Sequence, residues 1–344
     1  MIPIHLLDVA SYLPESSVDN SFFAPGTAGR RGMFTAPSTR RHVSPDESAV
    51  DMIEKAARRL SERQGLDVAR DIDLLFTNVA IPDQAFTGCG AEVAARLGAH
   101  PRWIVDLHNT GCVALLYMLD LARVLMQGSG ARGALLCCVQ NAGGRIFSQP
   151  GVRTKSQAPI PGDGCGVGYA RAGDGSPLLS LVQRCQPEFA ADMRAIGDDG
   201  RHYWQPGQSP ISIAFTESRV AAIIQRGNSL VPELVRLACA EAGVAVRDLD
   251  LLVTNQPSTI FLRNWREALE LRPGVHHDTF DRLGNLFGAG IPINLDDALT
   301  EAKIRRGSLV CMAGFSHAGD YGAAAVLRWH GDARSSRERP ASGV

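Results

Sequence analysis

Residues 70–78 read Arg-Asp-Ile-Asp-Leu-Leu-Phe-Thr-Asn, and residues 247–255 read Arg-Asp-Leu-Asp-Leu-Leu-Val-Thr-Asn. Seven of the nine positions are identical, at an offset of 177 residues. An amphipathic helical pattern precedes each copy, at residues 49–65 and 230–243, with apolar side chains three and four positions apart. A second echo follows in the same order. Arg132-Gly133-Ala134-Leu135-Leu136-Cys137-Cys138 resembles Arg306-Gly307-Ser308-Leu309-Val310-Cys311-Met312, at an offset of 174. Two ordered echoes at nearly one offset indicate a duplicated chain.

Each half alternates buried strands with amphipathic helices, which predicts an α/β fold with mainly parallel strands. The halves are expected at residues 1–170 and 171–333, with a disordered tail at 334–344 rich in Arg, Ser and Gly. Ligands of such sheets sit beyond the carboxyl ends of the strands. Two facing halves therefore bring their strand-end loops to one shared site. Those loops begin near Asn78, Cys112, Asn255, Asn285 and His317.

Bulk composition narrows the function classes. The chain of 344 residues is 45% hydrophobic and 21% charged, as in globular proteins. A formal net charge of -1 gives no global field for nucleic acid or an anionic membrane. No unbroken apolar run reaches the roughly 18 residues of a membrane span, and the first residues lack the pattern of a secretory signal. A cytoplasmic location is expected. The eight cysteines are scattered and form no CxxC pair, which argues against a disulfide framework and against a metal site.

One cysteine stands apart. Trp103 to Leu107 read as a strand and His108 to Gly111 as a turn; from Cys112 onward the apolar spacing is helical. A thiol at a helix start faces unpaired backbone N–H groups and the positive end of the dipole, and both favour a nucleophilic thiolate. By position alone, a small buried side chain filling a gap is the competing reading.

Several segments in order resemble the β-ketoacyl-carrier-protein synthase III group of the thiolase superfamily, over nearly the whole chain. Thr39-Arg40-Arg41-His42 resembles the family's early arginine motif, and Ala85-Phe86 before Gly88-Cys89-Gly90 is similar to its dimer-interface loop. The Cys112 segment resembles its nucleophile elbow, and Gly162-Asp163-Gly164-Cys165-Gly166 its GDGAG turn. Asp281-Arg282-Leu283-Gly284-Asn285 is close to its D-R-H-G-N, and Gly314-Phe315 through Tyr321-Gly322-Ala323-Ala324 resembles its last glycine-rich loop and strand. The resemblance implies a thiolase-like fold, two duplicated α/β halves forming a five-layered αβαβα core. It further implies a homodimer with Phe86 at the interface, and acyl-coenzyme A or an acyl carrier protein as donor with no tightly bound cofactor.

The family triad is Cys, His and Asn. Cys112 matches the first and Asn285 the third; their separation of 173 lies close to the repeat offset. The slot for the histidine, which opens an H-Q-A-N motif, holds Asn255. An amide donates a hydrogen bond but cannot act as acid or base. Asn255 and Asn285 together suit a thioester carbonyl, and neither can deprotonate an acceptor. In the last loop His317 stands where the family has glycine, with Asp320 three residues on. A neutral imidazole there is placed to take the thiol proton and then activate an acceptor, with Asp320 orienting it. A solvent-exposed His317 with Asp320 capping a turn is the competing reading, and His108 is a rival base.

These residues predict acyl transfer through a Cys112 thioester to a hydroxyl or amine acceptor of small size. They resemble the acyltransferase branch of antibiotic biosynthesis, which suggests malonyl as the acyl group. A ketosynthase performing decarboxylative condensation is the alternative, and a non-catalytic partner subunit the third reading. Arg40, Arg41 and Arg263 are candidates for donor phosphates, with plain surface arginine an equally good reading. Residues 186–215, poor in periodic apolar side chains, read as a long loop or cap over the acceptor side.

Overall fold

The computed structural model describes residues 3–27, 32–108, 110–173, 175–214 and 217–331. The tail expected to be disordered lies outside the described residues, as does Asn109 in the turn before the nucleophile. The first half runs through β1 (Ile4–Tyr12), β2 (Ser16–Asp19), β3 (Thr39–His42), α1 (Ala49–Gln64), α2 (Val68–Asp71), β4 (Leu74–Val79), α3 (Gly90–Leu97), β5 (Trp103–Asp106), α4 (Ala114–Ser129), β6 (Gly133–Gln140) and β7 (Gly164–Ala172). The second half contains β8 (Ser176–Cys185), β9 (Arg194–Gly197), β10 (Ile211–Ala214), α5 (Glu217–Glu241), β11 (Leu251–Thr254), α6 (Thr259–Ala268), β12 (His276–His277), α7 (Phe280–Leu283), α8 (Gly290–Thr300), β13 (Leu309–Ser316) and β14 (Tyr321–Arg328). The crossing from one half to the other falls between β7 and β8, a few residues past 170.

Local signals fix these elements. Ser48 caps α1 reciprocally: its Oγ accepts from Asp51 N–H at 3.0 Å, and the Asp51 carboxylate accepts from Ser48 N–H at 2.8 Å. Gly65, in the left-handed region at φ 63°, ends the helix. Val50, Ile53, Ala57 and Leu60 form its buried face.

Ten strands form one sheet in the order β12-β11-β13-β14-β8-β1-β7-β6-β4-β5. Each half contributes the same five-strand pattern, meeting where β1 pairs with β8 at His5–Pro177 and Leu6–Ser176. The sheet is mixed rather than mainly parallel. Parallel pairing is confined to β4 with β5 and β6, and β11 with β12 and β13. The inner pairs, β1–β7, β6–β7, β13–β14 and β8–β14, are antiparallel. Only four residues join β13 to β14, too few for the crossover that a parallel pair requires.

Three apolar clusters define five layers. The α1 and α3 side chains pack on the first half-sheet through Ile53, Leu60, Val93, Leu75 and Leu135. The α5 and α6 side chains cover the second through Leu234, Phe261, Trp265, Leu252 and Phe315. Between the half-sheets, α4 and α8 share one core with strands of both: Leu116, Ile293, Phe76, Leu136, Val253 and Met312. The stretch Gly111–Ser129 is long and apolar enough to cross a membrane. Here it is the central core helix, with Leu115, Leu116, Met118, Leu119 and Met126 buried between the two halves of the sheet.

Duplication also reaches the elements that carry the site. A short helical turn, Gly111–Val113, leads into α4, and its counterpart Phe287–Ala289 leads into α8. The element matching Cys112 is therefore Gly288, not Asn285. A side chain at Gly288 is excluded, because its Cβ would stand 2.7 Å from Asn78 Oδ1 and 2.8 Å from the Gly111 carbonyl oxygen. One half supplies a nucleophile, and the other supplies the space for it.

Candidate active site

Asn78, Gly111, Cys112, Asn255, Asn285, Gly288 and His317 line one cavity of about 390 Å³, so the five strand-end loops expected to converge do so. Cys112 sits in the turn before α4, only partly open to this cavity. Helix-start placement predicts a thiolate; the surroundings reverse that. Burial pushes the Cys112 thiol up to about 12, against opposing pulls from the Asn255 side chain and the His317 backbone N–H. The resting nucleophile is a thiol. Its own backbone N–H, expected to be unpaired, donates to Ser316 Oγ at 3.1 Å.

Asn255 follows β11 and is fully buried. Its Nδ2 donates to the Phe315 carbonyl at 2.9 Å, and its Oδ1 accepts from Phe315 N–H at 3.4 Å. The residue in the family's histidine slot thus anchors the end of β13 while its amide faces Cys112. Asn285 is fixed through its backbone, its N–H on the Ile160 carbonyl at 2.8 Å and its carbonyl on Gly162 N–H at 3.1 Å. Its Oδ1 accepts from Phe287 N–H at 3.0 Å. Among the described residues its Nδ2 meets no acceptor, which leaves a donor for a ligand.

His317 stands at φ 51°, in the left-handed region that glycine adopts freely. An imidazole there costs roughly 1–2 kcal/mol of backbone strain, which the surrounding contacts sustain. Its Nδ1 lies 3.3 Å from Asp320 Oδ2. Its Nε2 faces the nucleophile turn, only 2.9 Å from where a Cβ on Gly111 would be. Arg226 of α5 clamps the loop from behind, donating to the Ala318 carbonyl at 2.8 Å and pairing with Asp192 at 2.6 Å. His317 is about one-third exposed and Asp320 nearly buried. The Asp320 carboxylate and the His317 imidazole thus stand beside the nucleophile turn, while the His317 backbone N–H bears on the Cys112 thiol.

The remaining walls are mostly apolar: Met33, Phe34, Ile81, Ile146, Phe147, Ile160, Met193, Ile213, Ile223, Phe287 and Phe315 among them. Residues 186–215 are not a structureless loop. They include a β9–β10 hairpin whose strands line the cavity, held by Lys155 Nζ on Ser212 Oγ at 2.8 Å and Gln157 Nε2 on the Ile213 carbonyl at 2.9 Å. Met33 and Phe34 were not foreseen; an apolar pair inside a Gly-, Arg- and Pro-rich stretch was their only sequence signal. Ser316, one residue before His317, was likewise passed over, although it too interrupts a glycine-rich family loop.

Other expected residues fall outside this arrangement. Arg40 is completely buried: its guanidinium donates to Asn20 Oδ1 at 2.6 Å and the Pro37 carbonyl at 2.9 Å, and lies over the Phe23 ring. Burial lowers it to about 10. It is an internal tie and not a free phosphate ligand, a correction that sequence alone hides because inward and outward strand arginines read alike. Arg41 donates to the Glu15 carbonyl at 2.7 Å, and Arg263 stays on the surface of α6 beside Glu267. Phe86 is fully exposed. His108 lines the cavity and is exposed. His276 and His277 are buried in β12, the edge strand of the second half-sheet. Thr254 and Arg266 flank His276; Asp297 and Lys303 flank His277.

Residues 239–329 match the family described as 3-Oxoacyl-[acyl-carrier-protein (ACP)] synthase III C terminal. The β-ketoacyl-[acyl-carrier-protein] synthase III 1 of Halalkalibacterium halodurans is 25% identical, over 94% of this chain and 98% of its own. Among solved structures, the 3-oxoacyl-(acyl carrier protein) synthase III of Pseudomonas aeruginosa superposes with a TM-score of 0.81 at 22% identity, covering 96% of this chain and 100% of the other. The priming β-ketosynthase of the R1128 polyketide pathway gives 0.81 at 21% identity, covering 96% and 97%. With the shared fold, the matched C-terminal region and a cysteine at the strand-end cavity, the chain is similar over nearly its whole length to β-ketoacyl-[acyl-carrier-protein] synthase III proteins.

Proposed function

We propose that this enzyme is an acyltransferase that moves an acyl group from a coenzyme A or carrier-protein thioester, through a Cys112 thioester, to a hydroxyl or amine acceptor. One observation carries the reading: the imidazole is absent from the Asn255 slot and is present at His317, where Asp320 flanks it and Nε2 faces the nucleophile turn. His317 takes the Cys112 proton as sulfur attacks the donor carbonyl. The carbonyl electron pair moves onto oxygen and returns as the bond to the donor sulfur breaks, and that sulfur takes the proton from the imidazolium. In the second half His317 deprotonates the acceptor, which attacks the enzyme thioester and restores the Cys112 thiol. A fixed amide at Asn255 cannot exchange protons in either half.

Malonyl is the acyl group that the resemblance suggests, and Arg194, which lines the otherwise mostly apolar cavity, is a partner for its free carboxylate. The donor is a substrate, so no tightly bound cofactor is required. A cytoplasmic homodimer fits the family. The alternative is decarboxylative condensation, favoured by the relatives' names and by two amides, Asn255 and Asn285, able to hold an enolate oxygen. Intact-protein mass spectrometry after exposure to a panel of acyl thioesters tests acylation of Cys112. Incubation with malonyl-coenzyme A and an acceptor then separates the readings, because release of carbon dioxide would overturn simple transfer.

A further inference from the structure

Ser316 is the last residue of β13 and is completely buried. Its Oγ accepts the backbone N–H of the nucleophile itself at 3.1 Å. The loop is pressed close, since a Cβ on Gly111 would fall 2.2 Å from this oxygen. Gly111, Cys112 and His317 line the cavity, and the Ser316 hydroxyl sits directly against Gly111 and Cys112.

An N–H carries one hydrogen, and its strong bond goes to one acceptor along its axis. In acyl transfer, oxyanion stabilisation requires donors aimed at the position where charge develops, and the backbone N–H groups of Cys112 and His317 are the donors that bear on the thiol. The Cys112 N–H is already occupied by Ser316 Oγ. We infer that Ser316 is a positioning residue that keeps the oxyanion hole plugged in the resting enzyme, so that a donor thioester must displace its hydroxyl from Cys112 N–H before the oxygen is fully held. The binding energy of the remote parts of the donor drives this displacement, which discriminates against attack on poorly bound thioesters and against water. The inference rests on the acyl-transfer reading.

The test uses the full chain as wild type, Ser316→Gly, Ser316→Ala and Ser316→Thr. Each is exposed to acetyl-, malonyl- and butyryl-coenzyme A, with Cys112 acylation followed by intact-protein mass spectrometry. The glycine and alanine variants should acylate faster, by at most about a hundredfold to a thousandfold, the scale of one oxyanion donor. The threonine variant, which keeps the hydroxyl, should match wild type. With a carbonyl-13C donor, the infrared C=O stretch of the acyl-enzyme should fall in the glycine and alanine variants, because Cys112 N–H now binds that oxygen. Acylation no faster than wild type, or a band that does not move, overturns the inference. Should the glycine variant fail to fold, the alanine–threonine comparison decides. If no donor labels Cys112 in either wild type or the glycine variant, the acyl-transfer reading itself falls. Labelled wild type with unaccelerated variants removes the plug alone.

Discussion

The Asn255 side chain closes a two-point ring with the Phe315 backbone, donating to its carbonyl at 2.9 Å and accepting its N–H at 3.4 Å. The ring ties the end of β11 to the strand that leads into His317. Replacing Asn255 therefore disturbs stability before chemistry. Asn255→Ala leaves two buried backbone groups unpaired and should cost about 1–3 kcal/mol. Asn255→Asp should cost more, since a carboxylate still accepts from Phe315 N–H but meets the Phe315 carbonyl as a second acceptor. Urea unfolding of both variants checks the order. An alanine variant as stable as wild type would remove the anchoring role.

At His317, stability and activity should separate. The residue stands at φ 51°, where glycine has no strain. His317→Gly should match or exceed wild-type stability, by up to about 1 kcal/mol, whereas His317→Ala retains the strain. Both should lose turnover by about a hundredfold or more, the scale of general-base catalysis, while keeping some Cys112 adduct formation. Thermal unfolding paired with steady-state rates reads both effects. Wild-type turnover in either variant would exclude His317 from proton transfer.

Much of this site was legible because duplication leaves a sequence signature at buried strands. Leu74, Leu75 and Thr77 repeat as Leu251, Leu252 and Thr254 since both strands are covered on two faces. Convergence of Asn78, Asn255 and Cys112 follows from that repeat and from the rule that ligands bind at strand ends. What stayed hidden depends on three-dimensional neighbours. The mixed sheet came from a short β13–β14 connection whose apolar run resembles a parallel strand. The Cys112–Asn285 spacing suggested equivalence, yet the turns before α4 and α8 align Cys112 with Gly288. The protonated state of Cys112 depends on how deeply the surrounding loops bury it, which no local motif encodes.

That protonation state gives a distinct pH profile. Burial places the Cys112 thiol at about 12, above its ordinary 9.0. Below that point the thiolate fraction rises tenfold per pH unit, and at pH 8 it is about one part in ten thousand. Alkylation of Cys112 by iodoacetamide should be slow at neutral pH and climb steadily from pH 7 to 10. A preformed cysteine–histidine ion pair would instead react fast and nearly independently of pH across 6–8. Peptide mass spectrometry isolates Cys112 from the other thiols. A flat, fast profile would show that the proton leaves before the donor arrives, contrary to the mechanism proposed above.

The outer edge of the first half-sheet predicts how copies of the chain associate. β5 ends the ten-strand order, and among the described residues no strand pairs with its outer edge. On it Trp103 is 44% and Ile104 40% exposed; Val124 of α4 is 54% exposed and Phe86 completely so. An edge strand bearing large apolar side chains is a site for pairing with another chain, and natural monomers blunt such edges with charge. A second copy pairing edge to edge would cover this set and continue the sheet. Ile104→Lys places charge on that edge without entering the cavity, so the protein should sediment as a dimer when wild type and shift toward monomer when substituted. Analytical ultracentrifugation over a concentration series measures this. A wild-type monomer at all concentrations, or a lysine variant that remains fully dimeric, would show that β5 does not form the interface.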